Sequence, residues 1–192
     1  MELMLIKLHL GCGNKKIEGY INIDIQKSSA TDIVSDIMEL PYTDNSVDLI
    51  YSCCMLEHFG RNNNLKFFRN TSWIDVIKYW YKLLKPGGEL YICVPDFEAV
   101  CKEYLKTKDI SKIIGITIGG QKNEEDLHGM LYDFNLLSTE LISTGFKDVS
   151  RYDWKEFEAF KQPGYDDFSA SYIPHMDFKN GRLMMLNIKA IK

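Results

Sequence analysis

Small residues and a lone carboxylate stand at the ends of the first two apolar runs of the chain. The first run is followed by Gly11, Cys12 and Gly13, and the second closes on Asp24 and Ile25. Glycines allow a ligand to lie directly against the backbone. A carboxylate only accepts hydrogen bonds, which suits the two hydroxyls of a ribose. The pattern therefore predicts a binding site for the ribose of a nucleoside.

A further acidic residue extends this pattern toward an adenosine group. Asp36 and Ile37 follow the third apolar run, where a carboxylate or a backbone group can accept a hydrogen bond from an exocyclic amine. Two cofactors contain adenosine and need such a site, a nicotinamide dinucleotide and S-adenosylmethionine. Dinucleotide sites require a third glycine at the start of a helix that faces the pyrophosphate. Gly13 is followed by NKKIEGY, without a glycine at that place, so the sequence favours S-adenosylmethionine.

The elements that must position these residues alternate along the chain. Apolar runs of strand length occur at 5–10, 20–25, 32–35, 47–53, 89–94, 146–152 and 182–190. Helical patterns occur at 73–84, 97–106 and 135–144. The early runs are continuously apolar, as parallel strands buried on both faces are. We therefore expect an α/β fold, with a sheet between helices, and a single domain over residues 1–192.

Composition gives no support to several classes of partner. Lys and Arg total 23 against 27 for Asp and Glu, so the net charge of −4 gives no reason to expect nucleic acid or an anionic membrane. No apolar stretch reaches the roughly 18 residues of a membrane span, and the N-terminus lacks the pattern of a signal peptide. The five cysteines show no spacing suited to a metal, and they indicate reduced core thiols in a cytoplasmic protein.

Three segments resemble the motifs of class I S-adenosylmethionine-dependent methyltransferases of the small-molecule kind. They are LHLGCG with the following Asp24, SDIMELPYTDNSVDLIYSCCMLEHF, and KYWYKLLKPGGELYICVPD. The resemblance implies the Rossmann-like methyltransferase fold, a doubly wound and mostly parallel seven-stranded sheet. The chain departs from most members in its reduced connection between the first two strands, where a helix usually lies.

The resemblance also implies roles for individual positions. The implied contacts are a glycine turn under the methionine, a carboxylate on the ribose, two residues beside the adenine, and the end of the fourth strand along the sulfonium. In that order they are Gly11, Cys12 and Gly13; Asp24, with Ile25 beside it as a further cofactor-binding position; Asp36 and Ile37; and Ser52, Cys53 and Met55.

Two later segments resemble a narrower group of methyltransferases. DLHGMLYDFNLLSTELISTGFKDVSRY and RLMMLNIKAIK are similar to short bacterial members associated with surface-glycan synthesis. The methyl acceptor that this resemblance implies is a hydroxyl, or an amine, of a sugar or a nucleotide-sugar.

A hydroxyl acceptor needs a base to remove its proton, and histidine is the side chain best suited to this near neutral pH. The chain has four histidines, at positions 9, 58, 128 and 175. His128 is our first candidate, because Asp126 or Asp133 can orient it, and His58 after the fourth strand is the second. We expect the other two to have no catalytic role. The rate should then rise with pH through about 6.5, the ordinary pKa of histidine.

Two other interpretations of the sequence stay open. A nicotinamide-dependent oxidoreductase would use the same edge of the sheet, and a catalytically inactive methyltransferase-like subunit would bind a partner protein. The aromatic and acidic residues of 154–181 could cover a sugar ring or form a homodimer contact. An oxidoreductase would bind the nicotinamide dinucleotide, whereas a methyltransferase would bind S-adenosylmethionine. An inactive subunit would bind S-adenosylmethionine but methylate no acceptor.

Overall fold

The computed structural model describes residues 5–63 and 70–192 of the chain. Seven strands of this part form one sheet. They are β1 (Lys7–Leu10), β2 (Ile21–Asp24), β3 (Ile33–Val34), β4 (Val47–Cys53), β5 (Leu84–Pro95), β6 (Lys147–Arg151) and β9 (Met185–Ile191). Their order is β3-β2-β1-β4-β5-β9-β6. The first five strands pair in parallel, whereas β9 runs antiparallel to β5 and β6. The predicted doubly wound, mostly parallel sheet is confirmed.

Three of the α-helices match the predicted helices to within one residue at each end. The helices of the described part are α1 (Trp73–Leu83), α2 (Phe97–Thr107), α3 (Ile114–Ile118) and α4 (Phe134–Thr144). The N-cap side chains of Ser72 and Asp133 each accept a free N–H of the first turn, from Asp75 in α1 and from Leu136 in α4. Gly145, with φ +117°, ends α4 as the sequence predicts. No helix in the described ranges is long and apolar enough to cross a membrane.

The last predicted strand, 182–190, is wrong as one element. Residues Arg182–Leu183 form β8, which pairs with β7 (Tyr172–Ile173) in a separate two-stranded sheet. Met184 interrupts the run, because its N–H donates to the carbonyl of Ser171 and its own carbonyl accepts from Asp96. The chain then joins the main sheet as β9. Continuous apolar character predicts burial but does not show that the partner changes within the run.

One face of the sheet packs against helices. Alternate side chains of β4, β5 and β9, among them Ile50, Ile92 and Ile188, form a core with Trp80 of α1 and Leu141 of α4. All five side chains are buried. Each such side chain contributes about 1.5–3 kcal/mol relative to an exposed one.

The opposite face is covered mainly by chain without long helices. Tyr51 of β4 stacks on Phe157, with ring centroids 4.1 Å apart, in a second core that also contains Ile17, Tyr20 and Tyr152. Residues 154–171 contribute three one-turn 3-10 helices to this layer. Short 3-10 helices thus take the place of long α-helices over this part of the sheet.

Residues 154–171, which we call the strap, pack against β1 and against the short connection between β1 and β2. Residues 11–20 are all described and contain no helix, as the reduced connection predicts. Glu158 of the strap pairs with Lys7 of β1 at 2.7 Å and accepts a hydrogen bond from Tyr20. The side chain of Gln162 bonds both the N–H and the carbonyl of Glu18, at 3.1 and 3.0 Å. The strap thus holds the short connection in place.

Candidate cofactor site

A cavity of about 310 Å³ opens at the carboxyl ends of β1, β2 and β4. Parallel strands bring their carboxyl ends to one edge, which is where ligands bind in such sheets. Most of the predicted cofactor residues line this cavity. They are Gly11, Cys12, Gly13, Asp24, Ile25, Ile37, Cys53 and Met55, and His58 joins them. Asp36, Ser52 and His128 do not line it.

The glycine turn has a conformation that other residues rarely adopt. Gly11 has φ +70° and Gly13 has φ +54°. A Cβ atom on Gly11 would stand 2.6 Å from Cγ of Met55, so no side chain fits there without displacement. The N–H of Gly11 donates to the carbonyl of Ile23 at 2.9 Å, which fixes the turn against the end of β2. The turn therefore presents bare backbone to the cavity.

The carboxylate of Asp24 connects this turn to the end of β2. Its Oδ2 accepts the N–H of Gly13 and its Oδ1 accepts the N–H of Gln26, both at 2.8 Å. Each carboxylate oxygen can accept more than one hydrogen bond. The side chain therefore shapes the turn and still has acceptor capacity for hydroxyl groups in the cavity.

Two predicted residues lie outside the cavity for local reasons. Asp36 Oδ1 accepts the N–H of Met38 at 2.9 Å and so shapes the turn after β3, while Ile37 reaches the cavity. Side chains alternate across a strand. Ser52 points to the opposite face from Cys53, is 1% exposed, and its Oγ has no hydrogen-bond partner among the described residues.

Several cavity residues were missed by the sequence analysis. Asp167 and Phe168 come from the strap, and Glu125 comes from a one-turn helix before α4. Asp167 accepts the hydroxyl of Tyr51 at 2.6 Å and that of Tyr165 at 2.7 Å. In the sequence, only the aromatic and acidic character of the strap indicates that it could line the cavity. The strap reaches β4 through tertiary packing, which the sequence does not show.

His9 has both a structural and a lining position. Its Nδ1 donates to Oδ1 of the buried Asn22 at 3.0 Å, as a structural histidine would. Burial lowers the pKa of His9, so the ring is neutral near pH 7. The side chain also forms part of the cavity wall. His175, by contrast, is exposed on the loop between β7 and β8.

The two candidate bases lie next to each other but only one reaches the cavity. His58 ends a one-turn 3-10 helix directly after β4, and its ring centroid is 5.0 Å from that of His128. His128 Nδ1 donates to the carbonyl of Ile116 at 3.1 Å. Asp133 caps α4 instead of orienting His128, whereas Asp126 is close enough for its charge to act on His128.

The ionisation of His128 also differs from the expectation. Burial, followed by the neighbouring charge of His58, lowers the pKa of His128 to about 4. A rise of the rate through about 6.5, the ordinary value, is therefore not expected from this side chain.

Three of the five cysteines are buried as the sequence predicts, and Cys54 is half-buried. No cysteine of the described part forms a disulfide, and Cys12, Cys53 and Cys93 are buried. Cys101 on α2 is exposed, so the expectation of a core thiol is wrong there. It lies on the solvent side of an amphipathic helix, which a single position does not reveal.

Comparison with known proteins agrees with this geometry. Residues 8–92, a little under half of the chain, match the family model described as a methyltransferase domain. The chain has a class I methyltransferase fold. The cofactor of this methyltransferase fold is S-adenosylmethionine, and the bare glycine turn with the acceptor carboxylate of Asp24 fits the backbone and ribose contacts that such a cofactor needs.

Solved methyltransferase structures have the same fold at low sequence identity. A SAM-dependent methyltransferase of Archaeoglobus fulgidus is 14% identical with a TM-score of 0.56, over 98% of this chain and 86% of that one. One of Thermotoga maritima is 13% identical with a TM-score of 0.52, over 97% and 82%. A methyltransferase of Haloferax volcanii, solved with the Trm112 activator, is 13% identical with a TM-score of 0.54, over 100% and 84%. No curated protein matches the chain significantly.

Proposed function

We propose that this methyltransferase transfers the methyl group of S-adenosylmethionine to a hydroxyl, or an amine, of a small molecule, most readily a sugar or a nucleotide-sugar of glycan synthesis. The observation that carries the proposal is the cavity at the carboxyl ends of β1, β2 and β4. It combines the bare turn at Gly11 and Gly13 with the carboxylate of Asp24. These are the groups that a ribose and a methionine chain require.

The work of the protein in this reaction is alignment and exclusion of water. The bound cofactor supplies an activated methyl group. Gly11 and Gly13 allow close approach, Asp24 binds the ribose hydroxyls, and Ile37 gives an apolar surface for the adenine. Met55 packs on Gly11 and borders the same space. Binding energy from these contacts orients the reacting groups.

The rim of the cavity supports a hydroxylated acceptor. Phe168 is 65% exposed although it borders the cavity, and Asp167 and Glu125 stand on the same border. An exposed aromatic ring offers an apolar face, and carboxylates accept hydrogen bonds from hydroxyls. A sugar ring presents both kinds of surface. His58, which lines the cavity, is the base that best fits a hydroxyl acceptor.

The oxidoreductase alternative has little support in the geometry. Residues 11–20, all described, contain no helix whose N-terminus could face a pyrophosphate. The inactive-subunit alternative predicts cofactor binding without turnover. Calorimetry with S-adenosylmethionine, its demethylated product and NAD, followed by labelled methyl transfer to nucleotide-sugars and glycans, separates the three. Absence of binding to the first two compounds in folded protein would exclude a methyltransferase.

We further propose a reducing compartment, the cytoplasm, and a homodimer. Free thiols at all cysteines of the described part support the first. Exposed apolar residues on and after α2, including Leu105 and Ile110, support the second. Light scattering of the purified chain tests the homodimer, and a monomer at all concentrations would contradict it.

A further inference from the structure

Behind the wall of the cavity lies a cluster of three potential metal ligands, Glu57, His58 and His128. One ligand atom of each lies within 4.8 Å of those of the other two. Sequence spacing gave no sign of this cluster, because two ligands share one turn and the third comes from a distant segment. The sequence predicts no metal site, because its cysteines and histidines show no spacing suited to zinc.

The carboxylate of Glu57 is buried within the described part. The residue is 1% exposed, and neither of its oxygens has a hydrogen-bond partner among the residues described. A buried carboxylate without a partner is costly. A bound cation would offset this cost.

Both histidines bond a backbone carbonyl through Nδ1. Nδ1 of His58 bonds the carbonyl of Leu127 at 3.0 Å, and Nδ1 of His128 bonds the carbonyl of Ile116 at 3.1 Å. A carbonyl oxygen only accepts, so Nδ1 carries the proton in each ring and the lone pair lies on Nε2. Metal-bound histidines commonly donate their second nitrogen in this way, which fixes the ring.

The backbone holds the two ligand segments together independently of any ion. The carbonyl of Glu57 accepts the N–H groups of Gly129 and Met130, at 2.7 and 3.2 Å. The hydroxyl of Tyr132 donates to the carbonyl of Leu56 at 3.1 Å. The bond from His58 to the carbonyl of Leu127 is the fourth between the two segments. These four hydrogen bonds hold the three ligand residues close together.

We propose that Glu57, His58 and His128 form a binding site for a divalent transition-metal ion, with Zn²⁺ as the best-suited member of this class. Two imidazoles and one carboxylate are a donor set of catalytic zinc sites. Mg²⁺ prefers oxygen ligands and is a poor match. The centre of three atoms 4.8 Å apart is about 2.8 Å from each, and small side-chain movements reach the 2.0–2.2 Å of zinc bonds. His58 places the ion at the cavity wall.

A second cluster nearby must be distinguished from this one. The thiols of Cys53, Cys54 and Cys93 also lie within 4.8 Å of one another. Thiolates prefer soft ions and bind zinc as well. The N and O ligands of the proposed site give a different spectrum with Co²⁺, because only thiolate ligands produce strong sulfur-to-cobalt charge transfer.

Titration of the metal-stripped full chain with Zn²⁺, followed by calorimetry, tests the proposal. We expect one ion per chain, and at least about 100-fold weaker binding in Glu57→Gln and in His128→Ala, since each lacks a direct ligand. Glu57→Gln keeps the size of the side chain and removes its charge, so this variant should fold. His175→Ala, which removes an exposed histidine, and Cys54→Ser should bind Zn²⁺ as the wild type does.

Two further measurements keep the result unambiguous. Zn²⁺ should raise the melting temperature of the wild type and of His175→Ala but not of Glu57→Gln, and Co²⁺ should give no thiolate charge-transfer band. Unchanged affinity in folded Glu57→Gln, a thiolate band, or loss of binding in Cys54→Ser alone would overturn the proposal. Binding of S-adenosylmethionine is measured separately in metal-stripped protein, so failure of the methyltransferase proposal is recognised independently.

Discussion

Asp24 and Gly13 are joined by a hydrogen bond of 2.8 Å, from the backbone N–H of the glycine to Oδ2 of the carboxylate. The residue that ends β2 thereby fixes the turn that follows β1. The two parts of the cofactor site, one for the methionine and one for the ribose, are consequently coupled. A change at Asp24 should affect both.

Replacement of Asp24 by alanine should weaken S-adenosylmethionine binding by roughly 1.5–3 kcal/mol, the value of hydrogen bonds to a charged group. That corresponds to about a 10- to 150-fold higher dissociation constant. Asp24→Asn keeps an acceptor for Gly13 and should lose less. Calorimetry on folded variants measures both values. Unchanged affinity in Asp24→Ala would show that the carboxylate serves only the turn.

Gly11→Ala should lower the free energy of unfolding by about 2–4 kcal/mol, from positive φ and from contact with Met55. Gly19→Ala is the matched control, because Gly19 has φ +81° but nothing within 4 Å of an added Cβ. It should lose only about 1–2 kcal/mol. Urea unfolding compares the variants. Equal losses would mean that Met55 moves aside without cost.

The sequence predicts the sheet well because burial on both faces leaves continuous apolar runs at β1, β2 and β4. It also places Gly11 and Asp24 at the cavity, since residues that end parallel strands share one edge. It does not predict Asp167, which reaches the cavity because the strap packs against Tyr51 of β4. Nor does it predict on which face of the sheet the side chain of Ser52 lies. A strand buried on both faces lacks the alternation of apolar and polar residues that would show this.

Asp167→Ala should destabilise the fold by about 2–3 kcal/mol, because the hydroxyls of Tyr51 and Tyr165 lose a charged acceptor. Asp166→Ala is the neighbouring control. Asp166 is exposed and forms an ion pair with Lys15, so its removal should cost less than about 1 kcal/mol. Thermal unfolding measures both. Faster proteolysis within 154–171 in Asp167→Ala alone would show that the strap loosens, and equal behaviour of the variants would contradict its role.

The ionised carboxylate of Asp32 stabilises the fold, and this contribution should be lost in acid. Hydrogen bonds from Asn22, and then the ion pair with Lys16, lower the pKa of Asp32 to about 2. The folded value lies below the unfolded value of about 3.9, so this contribution is complete above that pH. It is lost as the pH falls from about 4 toward 2.

Urea unfolding between pH 6 and pH 2 measures this contribution of Asp32. The difference in unfolding free energy between wild type and Asp32→Asn should shrink as the solution becomes more acidic. Glu124→Gln, which removes an exposed acidic charge, serves as the control. A difference that stays constant down to pH 2 would show that the carboxylate of Asp32 is not stabilised by folding.

The last prediction concerns the proton of a hydroxyl acceptor. If His58 is the base, His58→Ala should lower kcat by 10² to 10⁴-fold, the range for loss of a general base, and leave cofactor affinity nearly unchanged. His128 lies behind His58 and outside the cavity, so His128→Ala should then keep most of the rate. If the two imidazoles act together through a bound ion, both variants and Glu57→Gln should lose activity to a similar extent. The measurement is labelled methyl transfer to the acceptor identified by screening, which gives kcat. The control is His175→Ala, which should match the wild type. Full activity in His58→Ala would exclude both mechanisms and indicate an acceptor that needs no histidine base, such as an amine.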